Sequence, residues 1–530
     1  MTENWRTSRE IVERIVVEGD LVLLTPSSLG NGDSDGLTDM SLLLDEIDGS
    51  ALLTGTSIAG AVRNYLRECE KGFGTKEGSS SICRQLFGYV ENQNGDQSCL
   101  IIDDSRSIDD SGNPKRPATE LRDGVRIDGK TRTAADKAKF DFELLVAGTI
   151  FKLRFELLIS DAKESDGRPV FPPRDELVKA LATALQGFEK GEIYLGARKR
   201  RGYGECKVEN WTVNYYNLKT RNGLLAWLGI DETKLQNAQP KEINKVQNKP
   251  IVDAIKEACG LVKDLQLDDK REYFEMTVCF ALDGSMLIRS GSKLGVSDKG
   301  QPDTVHLRSN RQGKNVPVVS GTSLAGVLRH RAVKICNTIS NSNGKSFVEK
   351  IFGVDMEELK KRNKDNNTNE QPFASRLEVR ETVINNTNDL VQTRVKIDRF
   401  TGGAFEGALF DAAPVFANGE QQAVTLNLRL RNAESYEIGL LLLLLKDLWT
   451  SDLPIGGESS IGRGRLNGKT ACLRYRKNNS EFWKIGLKKT DKIEVKLEDG
   501  KLPSGETETN FLNGLVKNLK VELEKGYAKN

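Results

Sequence analysis

A chain of 530 residues is too long for one hydrophobic core and suits two domains of ordinary size plus connecting segments. Its 38% apolar and 29% charged residues describe a globular protein, and its longest apolar run, Leu440 to Leu445, is far too short to cross a bilayer. With 78 Lys and Arg against 76 Asp and Glu the net charge is +2, which excludes any argument for nucleic acid from overall charge and leaves the question to local clusters.

The first residues, Met1-Thr2-Glu3-Asn4-Trp5, lack the basic and apolar pattern of a signal peptide, so a cytoplasmic location is expected. Val16, Val17, Leu21 and Leu23 mark an opening strand. Asp33, Asp35, Asp39 and Asp45 then crowd a glycine-rich loop. An aspartate there is either a solvated turn former or a group that holds a cation or orients a hydroxyl beside a phosphate. A helix begins at Gly55, where Thr56 or Ser57 can cap it and Ile58, Val62 and Leu66 supply an apolar face. Its free amides suit phosphate, Arg63 and Arg67 share one face, and Ala59-Gly60 implies that bulk is excluded. The plainer reading is a capped helix with surface arginines. Leu177, Leu181, Ala184, Leu185 and Phe188 mark a second helix. It leads into Gly196-Ala197-Arg198-Lys199-Arg200-Arg201-Gly202-Tyr203-Gly204. Four consecutive cations between glycines suit close approach to an RNA backbone, the alternative being a solvated basic turn.

Residues 217–270, with Pro240, Pro250 and alternating charge, read as a partly helical linker. Phe274, Met276, Val278, Phe280 and Leu282 alternate as a strand, and the next loop holds Asp298, Asp303 and His306. Gly321, Thr322, Ser323 and Gly326 open a helix that carries Arg329, His330 and Arg331. A further helix spans Ile438 to Trp449. The loop from Gly456 to Gly464 keeps its glycines but loses most of its charge, so Gly456, Gly457 and Ser459 would grip RNA through amides and hydroxyls, with Arg463 and Arg465 adding cations. From 476 to 530 the chain reads as a Lys- and Glu-rich extension.

These halves repeat each other. Gly55-Thr-Ser-Ile-Ala-Gly-Ala-Val-Arg63 returns 266 residues later as Gly321-Thr-Ser-Leu-Ala-Gly-Val-Leu-Arg329, and Leu86-Phe-Gly88 returns 265 later as Ile351-Phe-Gly353. Arg126-Ile-Asp128 returns as Lys396-Ile-Asp398, and the glycine loop returns 260 later. Four matches in the same order mark a tandem duplication: domain one over 1–216, the linker, domain two over 271–475, then the extension. Strand, helix, strands, helix, strand is the ferredoxin-like order, so the expected fold is α+β with two tandem RNA-recognition-type domains.

Exclusions narrow the chemistry. The eight cysteines contain no C-x-x-C pair, which argues against zinc knuckles and disulfides and for buried small apolar groups. The two histidines, His306 and His330, both lie in the second copy, so a His-based ribonuclease mechanism is impossible in the first. Walker, nucleophile-elbow and H-E-x-x-H motifs are absent.

The G-[TS]-S-[IL]-x-G-x-x-R segments, Ile397-Asp398-Arg399-Phe400-Thr401-Gly402-Gly403-Ala404 with its looser partner Ile127-Asp128-Gly129-Lys130-Thr131-Arg132-Thr133-Ala134, and the terminal glycine loops together resemble a known family. They are similar to the backbone subunits of type III CRISPR effectors, in the RAMP superfamily, over about four-fifths of the chain. The resemblance implies subunits that stack along a guide RNA beside other subunits of the same superfamily. It also implies an inserted thumb hairpin, here around Ile127-Asp128 and Ile397-Asp398, that kinks the guide–target duplex and flips a nucleotide. It further implies an aspartate, mapping to Asp39 and Asp303, that supports cleavage of the target RNA with a divalent ion, magnesium being expected. Between Asp303 and Gly321 there are two more residues than between Asp39 and Gly55. Three readings follow: a target-RNA endonuclease subunit, a guide-binding subunit without catalysis, and a guide-precursor-processing ribonuclease.

Overall fold

The computed structural model describes residues 10–30, 41–78, 81–91, 94–129, 131, 133–161, 173–228, 244–262, 265, 267–290, 302–340, 344–419, 421–477, 480–489, 492–502 and 506–527. Domain one is built on a central strand, β1 (Ile11–Leu23), flanked by β5 (Ile150–Ser160) and β6 (Cys206–Asn217), both antiparallel to it. The short strand β2 (Leu100–Ile102) extends the sheet beyond β5. One face of β1 is apolar: Ile15, Val17, Leu21 and Leu23 are buried against α1 (Gly55–Lys71) and α2 (Arg174–Glu189). Between β2 and β5 the chain leaves the sheet as a hairpin, β3 (Thr119–Ile127) with β4 (Ala134–Leu145), paired from Thr119↔Leu145 to Ile127↔Ala134.

Domain two repeats the plan. Strand β8 (Tyr273–Asp283) is central, between β12 (Gln422–Arg431) and β13 (Arg465–Lys477), with β9 (Leu377–Val379) beyond β12. Helices α4 (Gly321–Ser340) and α5 (Ser435–Trp449) cover its apolar face. Its hairpin is β10 (Gln392–Ile397) with β11 (Ala404–Ala413). The structure thus shows two copies of one mixed α/β domain, each with its own core.

Two segments differ from the sequence reading. The stretch taken as a linker includes β7 (Asn244–Lys249), which adds to the sheet edge beside β6, and α3 (Ile251–Ala258), whose Ile251, Ala254, Ile255 and Ala258 are buried against α2. The charged extension behaves likewise: β14 (Ser480–Lys489) and β15 (Ile493–Gly500) prolong the sheet past β13, and α6 (Glu508–Tyr527) packs Leu515, Leu519 and Leu523 into core two. In both, the apolar residues are spaced among Lys and Glu, so composition masked the buried stripe. All eight cysteines are free thiols, six of them buried; burial pushes Cys69, Cys259 and Cys336 up to about 12, which leaves them unreactive. Among the described residues no helix is long and apolar enough to cross a membrane.

Candidate functional site

The glycine loops after α2 and α5 have one backbone conformation in two sequences. Gly196, Arg198, Gly202 and Gly204 have positive φ, and so do Gly456, Glu458, Gly462 and Gly464 at the same places. In each, a single 3-10 turn lies between the non-glycine position and the glycine after it, Gly202 or Gly462: Lys199–Arg201 and Ser459–Ile461. The last glycine is required: a Cβ at Gly204 or Gly464 would sit 1.8 or 2.0 Å from the carbonyl oxygen of Leu195 or Ile455. Those strands close the loop, with Leu195 and Ile455 donating to Gly204 and Gly464 at 2.9 Å.

What differs is where the side chains go. Arg198 lies over the rings of Phe140 and Phe142 on β4, at 4.5 and 4.2 Å. Arg200 pairs with Glu378 of domain two, and Arg201 donates to the Phe352 carbonyl at 3.4 Å. Burial lowers the pKa of Arg198, Arg200 and Arg201, the last to about 10, so all three stay cationic at neutral pH. Burial also opposes ionisation of Glu378, but Arg431, Arg200 and Arg429 outweigh it and hold the carboxyl at about 2. Lys199 is exposed, whereas Gly202 and Tyr203 are buried, Tyr203 edge-on to Phe142 at 5.7 Å. The first loop is therefore largely part of the seam between the domains, a use the charge run alone did not reveal. In the second loop Glu458 replaces Arg198 and accepts from Arg394 of β10 at 3.0 Å, while buried Arg463 donates to Gln392 at 2.6 Å. Gly456 approaches the Leu287 carbonyl, and Gly457 donates to that oxygen at 2.7 Å.

Helix α1 is capped by Thr54 rather than by Thr56 or Ser57: the Thr54 hydroxyl accepts from the Ser57 amide at 3.3 Å. Ser320 does the same for Ser323 before α4. Thr56 and Thr322 hydroxyls add to these clusters. Gly55 and Gly321 are close backbone contacts, their Cβ positions 2.3 and 2.2 Å from the Ile102 and Arg201 oxygens. Gly60 and Gly326 are not: a Cβ there meets nothing within 4 Å, so the protein itself excludes no bulk at these positions. Arg63 forms a two-point bond with Glu77, at 2.9 and 2.6 Å, and Arg67 bonds Asn64. Arg329 lies 4.0 Å from Glu349, and Arg331 donates to Asp447 at 2.6 Å. Arg399 is exposed at the tip of the second hairpin, beside Phe400.

The carboxylates fall on both sides of what is described. Asp33, Asp35, Asp39 and Asp298 lie outside the described residues. Asp45 closes its own turn, accepting from Ile47 at 2.9 Å. Asp303 is exposed, and its Oδ2 accepts the backbone N–H of Asp411 on β11 at 2.9 Å. The parallel pairing of Thr304–His306 with β11 fixes that juxtaposition. The Asp411 Oδ1 is buried with no hydrogen-bond partner. Sequence reasoning did not single out Asp411, although Asp141 stands 270 residues earlier, the displacement of the Ile-Asp motifs. Leu43 donates to Leu29 and Leu307 to Ile288, while Leu52 returns to Leu43 and Val318 to Leu307. These equivalences put both extra residues in the turn of Arg308–Val319 and leave Asp303 in register with Asp39 in sequence. His306 is buried, sharing hydrogen bonds with Met286, Ile288 and Val318, and burial lowers its pKa to about 4. His330 lies beside Gly129 at the first hairpin's tip.

No curated protein matches the chain. The sequence model of the RAMP superfamily matches twice, over residues 20–207 and 282–467, the two segments that hold the sheets, hairpins and glycine loops just described. The chain therefore belongs to the RAMP superfamily, with two copies of its domain in tandem, and is a CRISPR-associated RNA-binding subunit.

Proposed function

We propose that the chain is a guide-RNA-binding backbone subunit of a type III CRISPR effector, and that it cleaves complementary target RNA once per domain, beside Asp39 and Asp303. In this reading each domain is ferredoxin-like, and the hairpins with tips at Ile127-Asp128 and Ile397-Asp398 are the thumbs. The observation that carries it is the Asp303–Asp411 hydrogen bond, which ties an exposed carboxylate to the base of a hairpin leaving the domain. A hairpin that kinks an RNA duplex would then present the distorted nucleotide to that carboxylate.

Cleavage would be attack of the flipped nucleotide's 2′-oxygen on its own 3′-phosphorus, with the 5′-oxygen of the next nucleotide leaving. An A-form helix denies the in-line geometry and the hairpin restores it. Asp303 would accept the hydroxyl proton or orient the hydroxyl, and the exposed cations Lys199, Arg399 and Arg465 would hold flanking phosphates. The residues also suit a divalent ion. Asp303 offers an exposed carboxylate held at the Asp411 backbone, the Asp411 carboxyl has a buried oxygen without a partner, and magnesium is commonly held by one or two carboxylates together with phosphate and water. Asp303 and Asp411 would hold the ion, which would supply charge stabilisation at the phosphate.

The test is Asp39→Ala and Asp303→Ala, made separately in the assembled complex and challenged with complementary RNA. Each substitution should abolish one cut while RNA affinity stays within about twofold, because affinity rests on many phosphate contacts. A digest unchanged with both replaced would leave a binding subunit without catalysis.

A further inference from the structure

The edge strands that end the two sheets are chemically unlike. In domain one, β7 is six residues long, holds Asn248 in left-handed backbone at φ 57°, and is followed at once by Pro250. Such features deter pairing with another strand. In domain two, β15 runs for eight residues with no proline and no left-handed residue before Gly500. It ends the sheet on the side opposite β9, whose Glu378 receives Arg200 at the seam. Its pairing with β14 is regular from Ile493 to Leu497, and among the described residues no strand lies against its outer side. The Leu497 N–H points to that outer side, donating to Glu508 Oε1 at 3.3 Å. Ile493 and Val495 share its orientation, because backbone direction alternates along a strand. Side chains alternate as well. Val495 and Leu497 are half-buried against core two, and Ile493 on the same face is 51% exposed. Glu494 and Lys496 lie exposed on the other face.

We propose that β15 pairs antiparallel with β15 of a second copy of this chain, about a two-fold axis at Val495, joining the two domain-two sheets into one. The segment Lys492-Ile493-Glu494-Val495-Lys496-Leu497-Glu498 carries opposite charges at equal distances on either side of Val495. Pairing centred there sets Glu494 against the partner's Lys496, twice by symmetry, and Ile493 against the partner's Leu497. Centring on Glu494 would instead oppose that residue to itself and Lys492 to Lys496, and centring on Lys496 would oppose like charges in the same way. Charge therefore fixes the register, and lysines that would deter a neutral strand attract this one. Glu498 is already held by Lys484 at 3.0 Å, so the inner charges decide. Val495 meets its own counterpart as a hydrogen-bonded pair, and the Leu497 N–H passes from Glu508 to the carbonyl of the partner's Ile493. The pairing covers Ile493. A two-fold contact closes with two copies and leaves hairpins, glycine loops and seam untouched. The inference rests on the extension alone, not on cleavage or on bound RNA.

Sedimentation of the nuclease-treated full-length chain over a concentration series tests it. Monomers should give way to dimers as concentration rises, and to nothing larger. Glu494→Lys sets lysine against lysine at both symmetric contacts, and Lys496→Glu sets glutamate against glutamate. Either substitution alone should weaken dimerisation by about tenfold or more. Mixed in equal amounts, the two variants should recover wild-type association, because each reversed charge then meets its opposite in the other chain. Both positions are exposed, and circular dichroism of each variant checks that it folds. A wild-type chain that stays monomeric throughout overturns the proposal, as does growth beyond dimers. Single reversals that leave the dimer unchanged, or a mixture that fails to associate, overturn it equally.

Discussion

At the scale of single residues, the same position serves different ends in the two copies. Arg198 and Glu458 share a left-handed backbone, yet one lies on aromatic rings and the other gathers arginines. His306 is the clearest case of a side chain whose role was open in the sequence. In the sequence it stands three residues after Asp303, in the loop of the candidate carboxylates; the structure buries it and satisfies its ring nitrogens on backbone groups. Burial lowers its pKa from 6.5 to about 4. The unfolded chain therefore binds this proton first as pH falls. Stability contributed by neutral His306 is fully present above pH 6.5 and is lost between 6.5 and about 4, by roughly 3 kcal/mol in all. Urea unfolding of wild type and His306→Asn at several pH values in that window should show a steeper decline for wild type. Parallel declines would mean that other groups dominate.

At the scale of elements, the repeat was legible because the fold needs it twice. Gly196, Gly204, Gly456 and Gly464 of the loops and Gly55 and Gly321 at the helix starts stand where backbones approach too closely for a Cβ, so duplication preserved them. The central strand β8 was legible because its apolar residues alternate from Phe274 to Leu282, whereas β1 breaks its alternation at a register shift between Gly19 and Leu21. The segments after β6 and β13 were not, because charge surrounds their buried residues and the pairing that buries them joins residues distant in sequence. Nor could the sequence show that the cations at 198–201 face the neighbouring domain, since a charge run carries no direction. Helix α6 illustrates the cost of misreading such a segment as a tail. Leu519 is fully buried, and Gly439 of α5 permits the close packing, its Cβ position lying 2.2 Å from the Leu515 oxygen. Leu519→Ala should destabilise domain two by about 2–5 kcal/mol in chemical denaturation, while Lys520→Ala, one residue on and exposed, should change it by less than about 0.5 kcal/mol. Equal, small effects would mean that α6 is not anchored in the core.

At the scale of the whole molecule, the seam decides whether two domains act as one body. Its centre is Glu381, with a side chain 0% exposed, receiving Arg122, itself 2% exposed, and Arg311. Gly202 makes room for that segment: a Cβ there would lie 2.3 Å from the Glu381 amide. Farther along, Arg431 bonds Glu68 at 2.7 Å and Asn432 bonds the Phe73 carbonyl at 3.1 Å, so the contact extends to the end of α1. Buried charges are costly to desolvate, and removing one partner leaves the others without compensation. Glu381→Ala should therefore cost about 3–5 kcal/mol, and the loss should fall on the coupling between domains rather than on either core. Calorimetry should show one cooperative transition in wild type and two separated transitions in Glu381→Ala. Replacing the ion pair with an apolar one, Arg122→Met with Glu381→Leu, should restore much of the coupling, because it removes the stranded charge as well as the bond. A single, unshifted transition in Glu381→Ala would show that the domains are coupled elsewhere, and that the spacing between their two aspartate loops is not set at this point.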